Sequence, residues 1–472
     1  MSYALIDNAS LTATQRLLGQ IETRGADSMD GDIAAFEHLI QALLFYQDVV
    51  CIDDYKAEYR LSRAKDFSFI RFLTPAEFGL DEVEKIAAKE ARSFRPEIHG
   101  GEFADEDFRK FFDQLALNII CTWDISASIY YLTMKMLGQP DTEEFKKYSE
   151  ISASIFTELT DQTQRGEPLN NDLTLVDSKG RCISKGYTID GAKWGKGDTG
   201  GLTSGLKAFV AALNWLVRRT IYYSFAGRHL NADTFLHPIR SGFQIHYMQK
   251  TGVFGYDFTH ALLQSFADRS EKVLTSIVSG PREFAVKMSM PLFLAWFVNE
   301  AGSVEKILPC VLSVRDSAEF KEARYQILQI REAVDAEDIK RANKQATKIG
   351  DKLDKALEGI RKKYGLKSSG TGVALSPVIK VFNSLAAFGG WPKLPEINTR
   401  VPMPEFLQKA LTQKGLVQVY RNVLNDLPAV WKLGEIRKKL TAAVRVSNDR
   451  VFTPRTEDPK FRRAHSKWKS PM

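Results

Sequence analysis

Side chains that could do chemistry are concentrated between positions 207 and 240. A helical stripe in this segment is followed by two arginines and two histidines, and the eight residues are Lys207, Asn214, Arg218, Tyr222, Arg228, His229, His237 and Arg240. Guanidinium groups match phosphate or carboxylate oxygens with two hydrogen bonds each, and histidine can transfer protons near neutral pH. We therefore predict a site for a phosphate-bearing ligand. His237 or His229 would be catalytic, and the other six residues would bind the ligand. The alternative is a set of surface charges and a loop turn.

A second group of candidates lies near the C-terminus, where cations alternate with aromatic residues. The residues predicted to contact nucleic acid are Arg437, Lys438, Lys439, Arg462, Arg463, Lys467, Trp468 and Lys469. Cations release counterions from nucleic-acid phosphates, and aromatic rings stack on unpaired bases. The alternative is a solubilising tail without a partner.

Two weaker patterns could also carry chemistry. Asp53 and Asp54 follow the apolar run Val49–Ile52, a possible strand, and acids at a strand end can hold Mg²⁺. A turn before a helix explains them better, and we predict no metal site. The stretch Gly191–Gly205 contains a GxGxxG pattern but lacks the surrounding βαβ unit of a dinucleotide site. The sequence therefore identifies no cofactor, and we expect a surface loop here, which leaves phosphate binding open.

The elements that must position these residues are predicted to be mostly helices. Residues Phe320–Val334 and Ile339–Ile360 each repeat an apolar residue every three or four positions, which predicts a long antiparallel helical hairpin over 317–364. An intermolecular coiled coil would give the same pattern. Alternating residues on both sides of Asp177–Gly180 predict an antiparallel β-hairpin near 172–189. The predicted fold class is mainly α and multi-helical, with that small β-hairpin excursion and the helical hairpin.

Charge and composition divide the chain into four predicted regions. They are an acidic helical region at 1–160, a β-hairpin with a Gly-rich loop at 161–205, a central helical region at 206–366, and a basic region with an extended tail at 376–472. The proportions, 44% hydrophobic and 26% charged, exclude a collagen-like or wholly disordered chain. Such an asymmetry of charge favours an anionic partner, although the acidic third could equally neutralise the basic third within one molecule.

The same features suggest the cellular setting. We expect no membrane contact, because the longest apolar stretches are well short of the roughly 18 to 20 residues that cross a bilayer. The N-terminus resembles no secretory signal, and four scattered cysteines fit a reducing cytoplasm.

Three functions remain open at this point. The first is binding of nucleic acid or another polyanion through the basic C-terminal third and the Arg/Tyr/His surface around Arg218–Arg240. The alternative is an enzyme acting on a phosphate-containing substrate, of nuclease or phosphotransfer/hydrolase type. The last is a structural adaptor that assembles with itself or with a protein partner through the helical hairpin.

Overall fold

The structure is a computed structural model. It describes residues 3–23, 29–55, 57–91, 97–99, 158, 173–176, 182–187, 204–251, 262–263, 266–267, 270, 292–335, 344–345, 348–356, 415–426 and 438–446. The strands in chain order are β1 (Tyr3–Ile6), β2 (Glu22–Thr23), β3 (Asp48–Ile52), β4 (Arg71–Leu73), β5 (Glu97–His99), β6 (Leu173–Val176), β7 (Cys182–Tyr187), β8 (Ala232–Phe235) and β9 (Arg445–Val446). The helices are α1 (Asn8–Leu17), α2 (Met29–Phe45), α3 (Ala57–Asp66), α4 (Leu80–Ala91), α5 (Ser204–His229), α6 (Pro238–Thr251), α7 (Leu292–Ala301), α8 (Ile307–Arg315), α9 (Ala318–Asp335) and α10 (Leu416–Asp426).

A four-stranded parallel sheet lies at the centre, in the order β4-β3-β1-β8. Tyr3 of β1 is aligned with Asp48 of β3 on one side and with Ala232 of β8 on the other. The strands are short and apolar. The residues of β1 and β3 are buried on both faces, as is usual where helices cover both sides of a parallel sheet. The chain leaves β1 toward β3 and returns to the other side of β1 only at β8. The strand order therefore reverses between β1 and β8.

Helices pack on the sheet and on one another. The apolar stripe of α2, including Phe36, Leu39 and Leu43, is completely buried and packs against α1, α7, α8 and α9. Helix α5 packs against α4, α6 and β8. These contacts hold the sheet in a fixed position relative to α1 and α5.

The predicted fold class is wrong, although its mainly helical content is confirmed. The prediction contained one β-hairpin and no central sheet, whereas a parallel sheet of four strands organises the fold. Strands of three to five residues carry too little period to be recognised locally. The pairing of β1 with β8 also joins residues more than two hundred positions apart.

The antiparallel helical hairpin over 317–364 is not supported either. The first predicted helix exists as α9, but its apolar seam, Phe320, Ala323, Ile327 and Ile330, is buried in the common core. Helix α9 packs against α2, α8 and α10. The second predicted helix lies partly outside the described residues. Because the apolar seam of α9 is buried within the chain, it does not support an intermolecular coiled coil.

The strands predicted near 172–189 correspond to β6 and β7, which pair antiparallel. They do not form an isolated hairpin, because β5 pairs with β6 in parallel and makes a mixed three-stranded sheet. The turn between them and the loop Gly191–Gly205 lie outside the described residues, apart from the first two residues of α5. None of the described helices is both long and apolar enough to cross a membrane. The predicted domain boundaries remain predictions.

Candidate functional site at the carboxyl edge of the sheet

Polar residues follow three neighbouring strands where each strand ends. Asp7 and Asn8 follow β1, Asp53 and Asp54 follow β3, and His237 lies two positions beyond β8. Because the strands are parallel, these residues meet at one edge of the sheet, which we call the carboxyl edge. In open α/β sheets this edge, at the reversal of strand order, is the usual place for a ligand.

Asn8, the first residue of α1, is the hub of the contacts here. Its side-chain amide donates hydrogen bonds to the carbonyl oxygen of Ile52 (2.9 Å) and to Asp54 Oδ1 (2.8 Å). Its Oδ1 accepts one from Arg63 Nη1 (2.8 Å). Asn8 therefore ties the end of β1 to the turn after β3.

Arg63 reaches this hub from α3. Its Nη2 donates to Thr12 Oγ1 (2.7 Å), and its guanidinium lies 4.1 Å from the centre of the Tyr55 ring. Arg63 is 3% exposed, so it fixes α3 against α1 and is not a surface charge.

Arg219 enters the same edge from α5 and is also buried. Its Nη2 lies 2.5 Å from Asp54 Oδ2, and its Nη1 lies 3.5 Å from Glu84 Oε1. Its guanidinium also lies 4.5 Å from the centre of the Tyr222 ring. Burial opposes the charge, but Asp54 most strongly, followed by Tyr223 and Glu84, raises the pKa of Arg219 well above its usual value. Burial likewise raises the pKa of the Tyr223 phenol well above its ordinary value.

A buried ion triad lies at the β1/β8 side of the edge. Arg240 Nη1 donates to Asp7 Oδ2 (3.1 Å), and its Nη2 donates to Glu158 Oε2 (2.6 Å). Asp7 also accepts hydrogen bonds from the backbone N–H of Ser10 (2.9 Å), which caps α1, and of His237 (3.2 Å). Asp7, Arg240 and Glu158 are all at most 1% exposed. Their role is to lock β1, α6 and position 158 together.

Asp53 differs from these groups because solvent reaches it. Its side chain is 29% exposed and lies 3.3 Å from Arg60 Nε, whose own side chain is 43% exposed. Partial burial raises the pKa of Asp53, the Asp54 charge adds to that rise, and Arg60 opposes it. A partly exposed carboxyl group with a raised pKa at the end of a central strand is a candidate for proton transfer.

The structure does not bring the residues predicted from the sequence into one concave surface. Arg240 and His237 lie in the buried triad region, whereas Arg218 pairs with Glu84 of α4 (3.1 Å). Arg228 lies over the Phe225 ring (4.6 Å) and lines, with Val83 and Ile86, a shallow cavity of about 210 Å³ between α4 and α5.

The remaining predicted residues are placed as follows. His229 Nε2 donates to the Phe78 carbonyl oxygen (2.8 Å). Tyr222 is buried, and Asn214 is half-buried. Lys207 lies in α5, but its side chain is outside the described residues.

The predicted nucleic-acid contacts are mostly beyond the described part of the chain. Lys438 and Lys439 are described and exposed. Six residues lie outside it: Arg437, Arg462, Arg463, Lys467, Trp468 and Lys469. Their predicted role stays a prediction.

Sequence reasoning missed Asp7, Asn8, Arg63 and Arg219 as site residues. It considered Asp53 and Asp54 as Mg²⁺ ligands at a strand end but preferred a turn before a helix. The sequence did contain a usable signal, because Asp7-Asn8 and Asp53-Asp54 each directly follow a short apolar run. If the two runs are neighbouring strands of a parallel sheet, the polar pairs that follow them meet at the same edge of the sheet. Within the described residues, no group of three or more His, Cys, Asp or Glu side chains is arranged to hold a metal ion.

Comparison with known proteins adds no constraint on the class of site. No family model, no curated protein and no solved structure matches the chain.

Proposed function

We propose that this protein is an enzyme acting on a phosphate-containing substrate at the carboxyl edge of its parallel sheet. One observation carries the proposal: Asp53, partly exposed and with a raised pKa, stands at the end of β3 beside the partly exposed Arg60. The proposed enzyme would be a nuclease, a phosphotransferase or a phosphate-ester hydrolase.

The two side chains supply complementary functions. The Arg60 guanidinium can bind a phosphoryl oxygen in exchange for its contact with Asp53. Asp53, with its raised pKa, can then hold a proton for a leaving oxygen or accept one from an attacking hydroxyl group. Both are reached by solvent, as a substrate-contacting pair must be.

The buried groups beneath the pair have a positioning role. Asp54 is held by Asn8 (2.8 Å) and Arg219 (2.5 Å), so the turn that carries Asp53 is fixed from two directions. Arg63 fixes Asn8 in turn. Rigid support of this kind keeps a proton-transfer group within reach of its substrate.

The test compares Asp53→Asn with the wild-type chain on four probes: p-nitrophenyl phosphate, bis(p-nitrophenyl) phosphate, a nucleoside triphosphate and single-stranded RNA. Asp316→Asn is the matched control, since Asp316 is 75% exposed and is distant in sequence from the residues of the carboxyl edge. We expect turnover of at least one probe and a fall of about 100-fold or more in kcat for Asp53→Asn. Absence of turnover on all four probes, or full activity of Asp53→Asn, would overturn the proposal.

A second candidate, binding of nucleic acid or another polyanion, is favoured by a different observation. Lys438 and Lys439 are exposed and form no ion pair with any described residue, in contrast to Arg218, Arg219 and Arg240. Exposed cations without an internal partner are available to phosphates. Assembly as an adaptor through the helical hairpin has no support, because the seam of α9 is buried in the core.

This candidate is tested by fluorescence anisotropy with a labelled 20-nucleotide single-stranded RNA. The variant carries Lys438→Glu and Lys439→Glu, and Lys85→Glu in α4 is the control. We expect the double variant to bind more weakly and its logarithmic salt slope to be reduced by about 1.4, because each phosphate contact with a single strand contributes about 0.7. An affinity equal to that of the control would refute a role for this pair.

A further inference from the structure

Arg219 places a positive charge in the interior of the protein, directly beneath the carboxyl edge. Its side chain is 1% exposed, and its Nη2 donates a hydrogen bond to Asp54 Oδ2 (2.5 Å). Its Nε and Nη1 donate no hydrogen bond to the residues that the structure describes. A buried guanidinium group with unsatisfied donors is unfavourable, and a buried ion pair is not needed for stability alone. The position of this charge therefore calls for a functional explanation.

Three aromatic rings of the same helix surround the Arg219 guanidinium group. Its central carbon lies 4.5 Å from the centre of the Tyr222 ring, 5.1 Å from that of Tyr223 and 5.7 Å from that of Trp215. All three distances are within the roughly 6 Å over which the face of an aromatic ring attracts a cation. The rings therefore stabilise the positive charge and hold the guanidinium group against Asp54.

Asp54 is the anion that this positive charge stabilises. Its side chain is 6% exposed, and burial by itself favours the neutral form of a carboxyl group. The contact with Arg219 and the hydrogen bond from the Asn8 amide (2.8 Å) both favour the ionised form. The guanidinium group and the amide together therefore hold a negative charge inside the protein.

Other titratable groups near Asp54 do not supply its counter-charge. Burial raises the pKa values of the Cys51 thiol of β3 and the Tyr223 phenol of α5 well above their ordinary values, so both are neutral near pH 7. Asp7, at the end of β1, is itself an acid and is paired with Arg240. The contact that decides the charge state of Asp54 is therefore the one with Arg219.

The negative charge of Asp54 acts on Asp53, which precedes it in the chain. Three charged groups of the described residues influence the Asp53 carboxyl group. Arg60 and Arg63 of α3 favour its ionised form, whereas Asp54 favours its protonated form, as partial burial does. A change in the charge of Asp54 therefore changes how tightly Asp53 holds its proton.

We propose that Arg219 is a positioning residue for the reaction, because it holds Asp54 as an anion beside Asp53 and that anion favours the protonated form of Asp53. The inference rests on the proposed function. Arg219 is buried away from solvent, so it acts through Asp54 and not by touching the substrate. The two arginines of the edge then have different tasks: Arg60, which solvent reaches, binds the phosphoryl group, and Arg219 sets the proton affinity of the acid.

The experiment follows the Asp53 carboxyl carbon by NMR in the full-length protein, labelled at the aspartate side chains, with Asp53→Asn used to assign the signal. Asp54→Asn removes the buried anion, and Arg219→Gln removes its counter-charge. Arg219→Lys keeps a cation at this position. Glu84→Gln is the matched control, because it removes the carboxylate that lies 3.5 Å from Arg219 Nη1 on the side of α4. The pH dependence of kcat for bis(p-nitrophenyl) phosphate is measured on the same variants, and circular dichroism checks their folding.

We expect the midpoint of the Asp53 titration to fall by about one pH unit in Asp54→Asn and in Arg219→Gln. This is the lower end of the effect of a neighbouring charge, because Asp53 is partly solvated. The limb of the kcat profile that follows Asp53 should move by the same amount. Arg219→Lys and Glu84→Gln should titrate like the wild type. If Arg219→Gln does not fold, Asp54→Asn alone decides.

A purely structural role of Arg219 would lower the thermal midpoint without moving the Asp53 titration of the folded protein. An unchanged Asp53 midpoint in Asp54→Asn would overturn the inference. A rise of the midpoint in Arg219→Gln would also overturn it, since Asp54 would then keep its charge without Arg219.

The outcomes separate this inference from the proposed function, because the titration requires no turnover. If Asp53→Asn abolishes turnover while the Asp53 midpoint is the same in every other variant, the reaction site stands and the positioning role of Arg219 falls. If Asp53→Asn is fully active, the proposed function falls, and the role of Arg219 falls with it whatever the titration shows.

Discussion

Arg240 gives the sharpest separation between a ligand clamp and a structural tie. The sequence places it among the ligand-binding residues, whereas the structure buries it completely between Asp7 and Glu158. Replacing it by Met removes the charge-assisted contacts of Nε (2.9 and 3.2 Å) and Nη2 (2.6 Å) with Glu158 and of Nη1 (3.1 Å) with Asp7. The two buried carboxylates, Asp7 and Glu158, then lose the positive charge of Arg240.

The expected cost is about 3 to 5 kcal/mol, the usual range for breaking a buried pair from one side. With about 2 to 4 °C per kcal/mol for a large domain, a loss of 3 kcal/mol lowers the thermal midpoint by about 6 to 12 °C. Arg60→Met is the matched control, because its ion pair with Asp53 is solvent-exposed and is worth about 0 to 1 kcal/mol. The assay is thermal unfolding followed by circular dichroism at equal protein concentration.

A suppressor makes the reasoning testable even if Arg240→Met folds poorly. Adding Glu158→Gln removes one of the two negative charges that Arg240 balanced, so the double variant should be more stable than Arg240→Met alone. An Arg240→Met midpoint within about 1 °C of the Arg60→Met midpoint would refute the buried triad. Loss of oligonucleotide binding at unchanged stability would restore Arg240 as a ligand clamp.

Two further predictions concern other buried positions. Burial raises the pKa of Glu37, whose carboxylate accepts the backbone N–H groups of Phe293 (3.3 Å) and Leu294 (2.7 Å). The folded state therefore holds the Glu37 proton more tightly than the unfolded state, so stability falls as pH rises from about 4.5 through the raised pKa of the folded state. In Glu37→Gln the thermal midpoint should no longer fall with pH over this range. A fall equal to that of the wild type would contradict the assignment. Gly227→Ala places a Cβ atom 2.6 Å from Thr234 Cγ2 of the adjacent strand and should cost about 1 to 3 kcal/mol in urea unfolding, so a neutral effect would show that α5 does not approach β8 this closely.

Local patterns predicted helices well and the sheet poorly. The apolar residues of Phe320–Val334 recur every three or four positions, which predicted a helix that the structure has as α9. The apolar run Val49–Ile52 lies within β3. β1 and β8 are four residues each, and their pairing depends on packing between positions 3 and 232. No local period carries that information, so the parallel order had to come from the tertiary structure.

The same limit explains the candidate site. Arg218 and Arg219 are adjacent on α5, and the helical stripe through Asn214 and Tyr222 selected Arg218. The structure pairs both with carboxylates and buries the second, because α5 turns that side toward the end of β3. Periodicity tells which residues share a face but not which element that face meets.

The buried charges of the carboxyl edge are better explained by position than by stability. A buried ion pair roughly breaks even against apolar residues of similar volume, so the contacts of Asp54 with Arg219 and of Asp7 with Arg240 are not what a stable core alone requires. These ion pairs fix the turns after β1 and β3 with directional hydrogen bonds, whereas apolar packing would not fix the position of either turn as tightly. The turn so fixed carries Asp53, the partly exposed acid of this edge, and the edge is the one where a parallel sheet receives its ligand. Directional support beneath an exposed acid is the physical reason to look for chemistry at this place.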